Sequence, residues 1–371
     1  MIAGDPPRVP WKGHGMGDSG QVDLRSDTVS RPSAAMRRAM AGAEVGDDLF
    51  GDDPTVIRLQ EQAATLTGKQ AALYLPTGTL CNQIALHVLA GPGRVVVCEE
   101  TAHVGTHELI SSAMLSSVTF RTIAGRSGLM TAAQVAAAVE PVPCDPAVVG
   151  LVSVENTHQV GGGTVLPVGA LAEIAAVCAG RGVPLYLDGA RIFNACAVAG
   201  TAVSQYAAQA SGMMFCLSKG LGAPIGSLLA GDAAFIEEAG RLKILFGAGW
   251  RQAGIMAAAG LIALADGPGR LAEDHANARR LAEGIAEILP GHIDLDAVQT
   301  NIVFVDVAGT ARPLDAWAAG LAGEGVLVTI VAGKIRMLTH LDVSAGDVDT
   351  AVAAWRRVAA AFGLVPAAPA R

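Results

Sequence analysis

The chain has 371 residues, 51% of them hydrophobic and 16% charged, with a formal net charge of -8. These totals exclude a disordered chain, and an acidic balance with no basic cluster sets nucleic acid aside as a partner. Six cysteines, at 81, 98, 144, 178, 196 and 216, form no CxxC pair and lie mostly in apolar segments, so they read as buried free thiols in a reducing cytoplasm rather than as disulfides or metal ligands. Apolar runs such as residues 255–265 fall short of the ~20 residues that a membrane span requires, so no membrane attachment is expected. Abundant Ala and Gly lean toward an oligomer that hides part of its surface.

Residues 1–21 carry Gly, Pro and mixed charge without an apolar stretch, and are expected to be a disordered extension rather than a secretory leader. From Val22 a tight polar stretch, Asp23-Leu24-Arg25-Ser26-Asp27-Thr28, leads to Pro32 and a helix over residues 33–41. The aspartates at 47, 48, 52 and 53 form a loop; they lack the spacing and terminal glutamate of an EF-hand, and Asp53-Pro54 reads as the cap of a helix running to residue 66. Ala71-Ala-Leu-Tyr-Leu75 is a short strand, followed by Pro76-Thr77-Gly78-Thr79 and a helix over 80–90. That turn places the amides of Gly78 and Thr79 at a helix N-terminus, where an anion binds, although neither a Walker loop nor GxGxxG is present.

Strands at 94–98, 118–123, 148–154, 184–187 and 213–217 alternate with helical runs near 108–115, 131–139 and 168–179. The strand runs are apolar throughout, which predicts an α/β fold with a mainly parallel sheet covered on both faces by helices. Ligands gather at the carboxyl ends of such strands, and Glu155, Asp188 and Lys219 fall there. A helix over 252–265 followed by Gly267-Pro268-Gly269 suggests a hinge. The expected division is therefore a large unit over 22–268 and a smaller α+β unit over 269–371, with a helix over 271–289, strands at 301–307, 325–330 and 335–339, and a closing helix over 348–362.

A phosphate-competent helix start at Gly78 and Thr79, a carboxylate at Asp188 and a lysine at Lys219 together suit a phosphorylated pyridine aldehyde. The lysine would carry the aldehyde as a Schiff base, the amides would hold the phosphate, and the carboxylate would pair with the ring nitrogen. The motifs DLRSDTVSRP (23–32), VGDDLFGDDPT (45–55), LPTGT (75–79), ENTH (155–158), DGARIFNA (188–195), CLSKGLGAPIGS (216–227) and RMLTHLDVS (336–344) resemble the low-specificity L-threonine aldolases. The resemblance runs from Val22 to the C-terminal helix.

It implies the fold type I of pyridoxal-phosphate enzymes and a retro-aldol cleavage of L-threonine, L-allo-threonine and related β-hydroxy-α-amino acids to glycine and an aldehyde. The alternatives are an aldolase for a bulkier substrate such as phenylserine, and a β-eliminating lyase on the same fold. It also implies roles. Lys219 corresponds to the Schiff-base lysine, Asp188 to the partner of the ring nitrogen, His103 to the ring-stacking histidine, and Gly78 and Thr79 to the phosphate turn. Ser26, Arg191 and Arg336 correspond to groups that hold the substrate carboxylate, and Arg251 to a phosphate contact that could come from a neighbouring subunit or be a surface residue. The base for the β-hydroxyl is left among His103, His158 and a water near both; no metal is implied. Three residues depart from the family pattern, His107, Phe50 and Trp250, and Trp250 brings larger β-substituents such as that of phenylserine within range. A cytoplasmic homodimer or homotetramer, with active sites at the subunit interface, is the expected assembly.

Overall fold

A computed structural model describes residues 20–144 and 146–365. The expected extension lies outside them apart from its last two residues. Seven strands form the central sheet, in the spatial order Ala71–Leu75, Ser227–Gly231, Gly212–Cys216, Leu185–Asp188, Val149–Glu155, Val95–Glu99 and Thr119–Ile123. Only Ser227–Gly231 runs against its neighbours. The other contacts, from Gly212–Cys216 outward to Thr119–Ile123, are parallel.

Side chains alternate between the faces of a strand, and here each face has its own core. Leu185, Leu187, Met213, Phe215, Leu228 and Ala230 join one apolar cluster, which Leu171, Ile174 and Cys178 of the helix Val168–Arg181 cover. Tyr186, Met214, Cys216 and Leu229 join the other, beneath Cys81 and Ile84 of Gly78–Ala85 and Phe235 and Leu242 of Ala233–Leu245. Burial on both faces explains why these strands read as unbroken apolar runs.

The expected break at Gly267-Pro268-Gly269 does not occur: a single helix runs over Gly254–Ile288 with Pro268 inside it. Proline removes one amide and costs about 3 kcal/mol in a helix interior. Burial on both sides outweighs that cost, because Ala257, Ala263, Leu264 and Leu271 sit in the first core while Ala278, Leu281 and Ile285 sit in a third. Gly267 allows the close approach, since a Cβ there would lie 2.9 Å from a methyl of Leu221. The helix has the length and apolar content of a membrane span, which the apolar runs alone did not suggest, but its apolar face is spent on these two cores.

The third core also takes Val303, Val305, Ile335 and Met337 from a three-stranded antiparallel sheet of Thr329–Val331, Lys334–Leu338 and Ile302–Val305, and Trp355 from Ala345–Ala361. Val22 and Leu24 belong to it as well, for Val22–Asp23 pairs in parallel with Val326–Leu327. The chain therefore enters through the C-terminal layer before it builds the large sheet. This brings Ser26 and Asp27 close to Arg336 and Arg191.

The aspartate loop does capping and turn work. Asp53 accepts from the amides of Thr55 and Val56 at 3.1 Å each, opening Pro54–Thr67, and from the Gly254 amide at 2.8 Å, opening the long helix. Asp48 meets Lys243 at 2.6 Å. One carboxylate caps two helices, so Asp53→Ala is expected to lower stability by about 2 kcal/mol, the upper end for a lost cap. Chemical denaturation of the pair measures it, and a loss below about 0.5 kcal/mol would contradict the double cap.

Candidate active site

The cavity lies at the carboxyl ends of the parallel strands, on the face that carries Tyr186, Met214 and Cys216. It encloses about 370 Å³, and its walls include Gly78, Thr79, His103, Asp188, Arg191 and Lys219. Six of the residues expected from sequence thus converge on one space. Asp188 reaches it because it follows Tyr186 by two residues and shares that face. Lys219 stands three residues beyond Cys216, in a loop closed by bonds from the Ala223 amide to the Leu217 carbonyl and from the Gly222 amide to the Lys219 carbonyl. Gly222 has a φ of +77°, a conformation that glycine adopts without strain.

Asp188 is 3% exposed. One carboxylate oxygen accepts from Asn82 at 2.9 Å and the other from the Ala190 amide at 3.1 Å, with no cation within ion-pair distance among the described residues. Burial, reinforced by the charge of Glu155, pushes its pKa upward. A cationic N–H entering the cavity would relieve that cost. At the helix start, Thr77 takes the Leu80 amide with its hydroxyl, leaving the amides of Gly78 and Thr79 without a partner among the described residues. Gly78 itself must be small, for a Cβ would lie 2.6 Å from the Met214 methyl and 2.9 Å from the Cys216 sulfur. A buried carboxylate needing a cation, two free amides needing an anion and a lysine between strands fit a phosphorylated pyridine aldehyde.

His103 opens a short helical turn beside this space. Its backbone amide donates to Glu155 at 2.8 Å, its Nδ1 donates to Glu108 at 2.7 Å, and its ring lies parallel to that of His107 at 4.9 Å. Burial pulls the His103 pKa down, but the bond to Glu108 and the charges of Asp188, Glu108 and Glu155 outweigh it, and the net shift is upward.

Other expected residues lie elsewhere. His158 is 0% exposed and does not line the cavity; its Nδ1 accepts from the Gly161 amide at 3.1 Å and its Nε2 stands 3.2 Å from Glu99. The ENTH motif therefore turns its histidine inward, out of the cavity lining. Arg251 is 58% exposed beside Asp47, away from the cavity of its own chain. Trp250 packs edge-on against Tyr74 at 5.0 Å and under the Lys243 ammonium, outside the cavity of its own chain. Phe50 lines a separate hollow with Leu49 and Ile57.

The carboxylate-holding set is split. Arg191 is anchored along one edge: its Nε and Nη2 meet the two oxygens of Asp27 at 2.6 and 2.7 Å, both side chains being buried, and its Nη1 donors are left without a partner among the described residues. Arg336 donates Nη2 to the Arg25 carbonyl at 3.2 Å, while its buried Nε has no partner. Burial and then the neighbouring Arg191 push the Arg336 pKa down to about 10, so an incoming carboxylate would be welcome there. Ser26 caps the turn Asp27–Val29 by accepting the Thr28 amide. Sequence reasoning missed Asp27, Asn82 and Glu108. Asp27 sat inside a quoted motif, whereas nothing in the spacing of Asn82 and Glu108 distinguishes them from solvated polar residues.

Glu99 carries a pH signature. Burial would raise its pKa, but the contact with His158 and two bonds from Thr101 bring it down to about 2 from an ordinary 4.5. A depressed carboxylate contributes stability above its unfolded value that is lost as pH falls toward its folded value. Glu99→Gln is expected to remove about 3 kcal/mol at pH 7 and to flatten the decline in melting temperature between about pH 5 and pH 2. An unchanged acid limb in melts of the variant would contradict this.

The sheet, the strand-end lysine and the buried aspartate define a pyridoxal-phosphate enzyme of fold type I. Solved structures agree on the fold: a threonine aldolase of Leishmania major matches with a TM-score of 0.76 at 18% identity over 91% of this chain and 99% of that one. Serine palmitoyltransferase of Sphingomonas wittichii matches at 0.70 and 17% over 93% and 89%. Residues 23–310 match the family described as beta-eliminating lyase. The low specificity L-threonine aldolase of Escherichia coli K12 is 42% identical over 90% of this chain and 98% of its own length, and low-specificity L-threonine aldolase 1 of Arabidopsis thaliana is 36% identical over 88% and 93%. The chain belongs to the beta-eliminating lyase family and, within it, to the low-specificity L-threonine aldolases.

Proposed function

We propose that this protein is a pyridoxal-phosphate-dependent carbon–carbon lyase that cleaves L-threonine, L-allo-threonine and related β-hydroxy-α-amino acids to glycine and an aldehyde, and catalyses the reverse addition. The observation that carries this reading is the convergence of Lys219, Asp188, His103 and the amides of Gly78 and Thr79 on one cavity, in a chain of this family. When bound, the cofactor supplies an electron sink for the breaking Cα–Cβ bond. Lys219 holds its aldehyde carbon, Asp188 accepts from its ring nitrogen, His103 flanks its ring, and the Gly78 and Thr79 amides hold its phosphate.

Arg336 would take the substrate carboxylate on its unpartnered Nε, next to the turn that Ser26 opens, and this hold would select which Cα bond breaks. Arg191, anchored by Asp27 through Nε and Nη2, lines the wall and keeps its Nη1 donors for the same carboxylate. The β-hydroxyl proton passes to a water held at His103, whose Nδ1 is committed to Glu108. His158 supports this wall from behind through Glu99.

Active sites at the interface of a homodimer or homotetramer complete the reading, with Arg251 reaching the phosphate bound in a neighbouring subunit. The exposed apolar side chains of Phe50, Ile110, Met114 and Leu245 support such burial, as does the distance of Arg251 from its own cavity. All six cysteines are free, which suits the cytoplasm.

The test is product analysis of the cofactor-loaded protein with L-threonine. Glycine and acetaldehyde in equal amounts are expected; ammonia with a 2-oxo acid would replace the aldolase by an eliminating lyase. Threonine is the first substrate to assay and phenylserine the second.

A further inference from the structure

Two groups that face the same ring from different elements, His103 on a turn and Asp188 at a strand end, are joined by a path of hydrogen bonds. Asp188 accepts from Asn82 Nδ2 at 2.9 Å; the same nitrogen donates to Glu108 at 3.1 Å; Glu108 accepts from His103 Nδ1 at 2.7 Å. Both linking side chains are 2% exposed. We propose that Glu108 is a positioning residue that, through Asn82, sets the ring-flanking His103 and the ring-nitrogen partner Asp188 as one unit.

The chemistry of the link admits few alternatives. Asn82 has two N–H donors on one atom and spends them on two carboxylates, while its oxygen accepts from the Tyr186 hydroxyl at 2.8 Å, so the amide cannot be flipped. Glu108 accepts three bonds: beside Asn82 and His103 it takes the Gln83 amide at 2.8 Å. An acceptor on Nδ1 forces the His103 proton there and leaves Nε2 as the nitrogen free for a water. Gln83 in turn donates to Ser112 at 3.0 Å and Ser116 donates to the Gln83 carbonyl at 2.8 Å, tying the helix Gly78–Ala85 to the segment that follows His103. A side chain that only filled space would not need three donors.

The charge of Glu108 acts on both ends. It supports the upward shift of His103 and the upward shift of Asp188. The other charged groups that face His103 are Glu155 at the end of its strand, Asp188 itself and the stacked His107. None of them bonds Nδ1, so the direction of the ring depends on Glu108 alone.

The inference rests on the aldolase reading, and the experiment separates the two. Glu108→Gln keeps the size and removes the charge. Histidine C2–H NMR titration of the protein without cofactor, with the His103 signal assigned by its loss in His103→Gln, is expected to show a lower His103 midpoint in the variant. With pyridoxal phosphate loaded, kcat is expected to fall about 10- to 100-fold with KM nearly unchanged, because Arg336 is untouched. Glu108→Asp keeps the charge one methylene short; it is expected to retain most of the His103 shift yet lose turnover, which separates placement from charge. A His103 midpoint unchanged in Glu108→Gln, or a loss carried wholly by KM, overturns the inference and leaves the aldolase reading standing. A wild-type protein that takes up no pyridoxal phosphate overturns both.

Discussion

Replacing Lys219 by alanine is expected to reduce turnover at least about 10³-fold, the scale on which enzymes lose a covalent catalytic group, and to leave the folded state intact. The separation of the two effects follows from where the lysine sits. It is half-buried in a loop whose shape is held by backbone bonds of Gly222, Ala223 and Leu217, and its ammonium makes no hydrogen bond to a described residue. Stability should therefore change by less than about 1 kcal/mol, as for a substitution that removes no packed contact. Its charge nonetheless faces Asp27 and Asp188: it helps to hold the Asp27 pKa down and opposes part of the burial that raises that of Asp188. Parallel measurements of glycine formation and of a denaturation midpoint check both halves. Turnover above about a tenth of wild type would remove Lys219 from the chemistry.

Asp27→Ala carries the largest expected stability loss. Arg191 is buried with two nitrogens on the Asp27 carboxylate, which also takes Asn301 at 3.3 Å. Removing the acid leaves a buried guanidinium uncompensated, a change that costs about 3–5 kcal/mol. Burial lowers the Arg191 pKa and Asp27 restores and exceeds it, so the pair is held together by the need of each for the other. The paired replacement Asp27→Leu with Arg191→Met is accordingly expected to recover most of the loss while still lacking activity, since the cavity wall loses its charge. Denaturation of the single and double variants checks this. A single variant within about 1 kcal/mol of wild type would show that water or another group already satisfies Arg191.

The strands Ala71–Leu75, Val149–Glu155 and Leu185–Asp188 were legible because burial on both faces writes a continuous apolar run between turn residues. Ser227–Gly231 was not: it follows a loop rich in glycine and proline, and it has no β-branched or aromatic residue to mark it as a strand. The helix through Pro268 was misread for the opposite reason, since a local breaker was overruled by two cores that the sequence does not show together.

In the site, residues announced by strand ends or motifs line the cavity, namely Lys219, Asp188, His103, Gly78 and Thr79. Whether a motif histidine faces the cavity or the core depends on the turn around it, and His158 goes inward because the Gly161 amide and Glu99 hold both its nitrogens. Asp27, Asn82 and Glu108 act across separations of 164, 106 and 26 residues, and such pairings leave no local trace.

The central claim is that Lys219 carries pyridoxal phosphate in the cavity it shares with Asp188. Its most direct test is to load the protein with pyridoxal phosphate, reduce it with borohydride, digest it and locate the phosphopyridoxyl group by mass spectrometry. One group per chain on Lys219, absent from Lys219→Ala, is the predicted result. A label spread over surface lysines, or concentrated on Lys243 or Lys69 with Lys219 unmodified, would contradict the account.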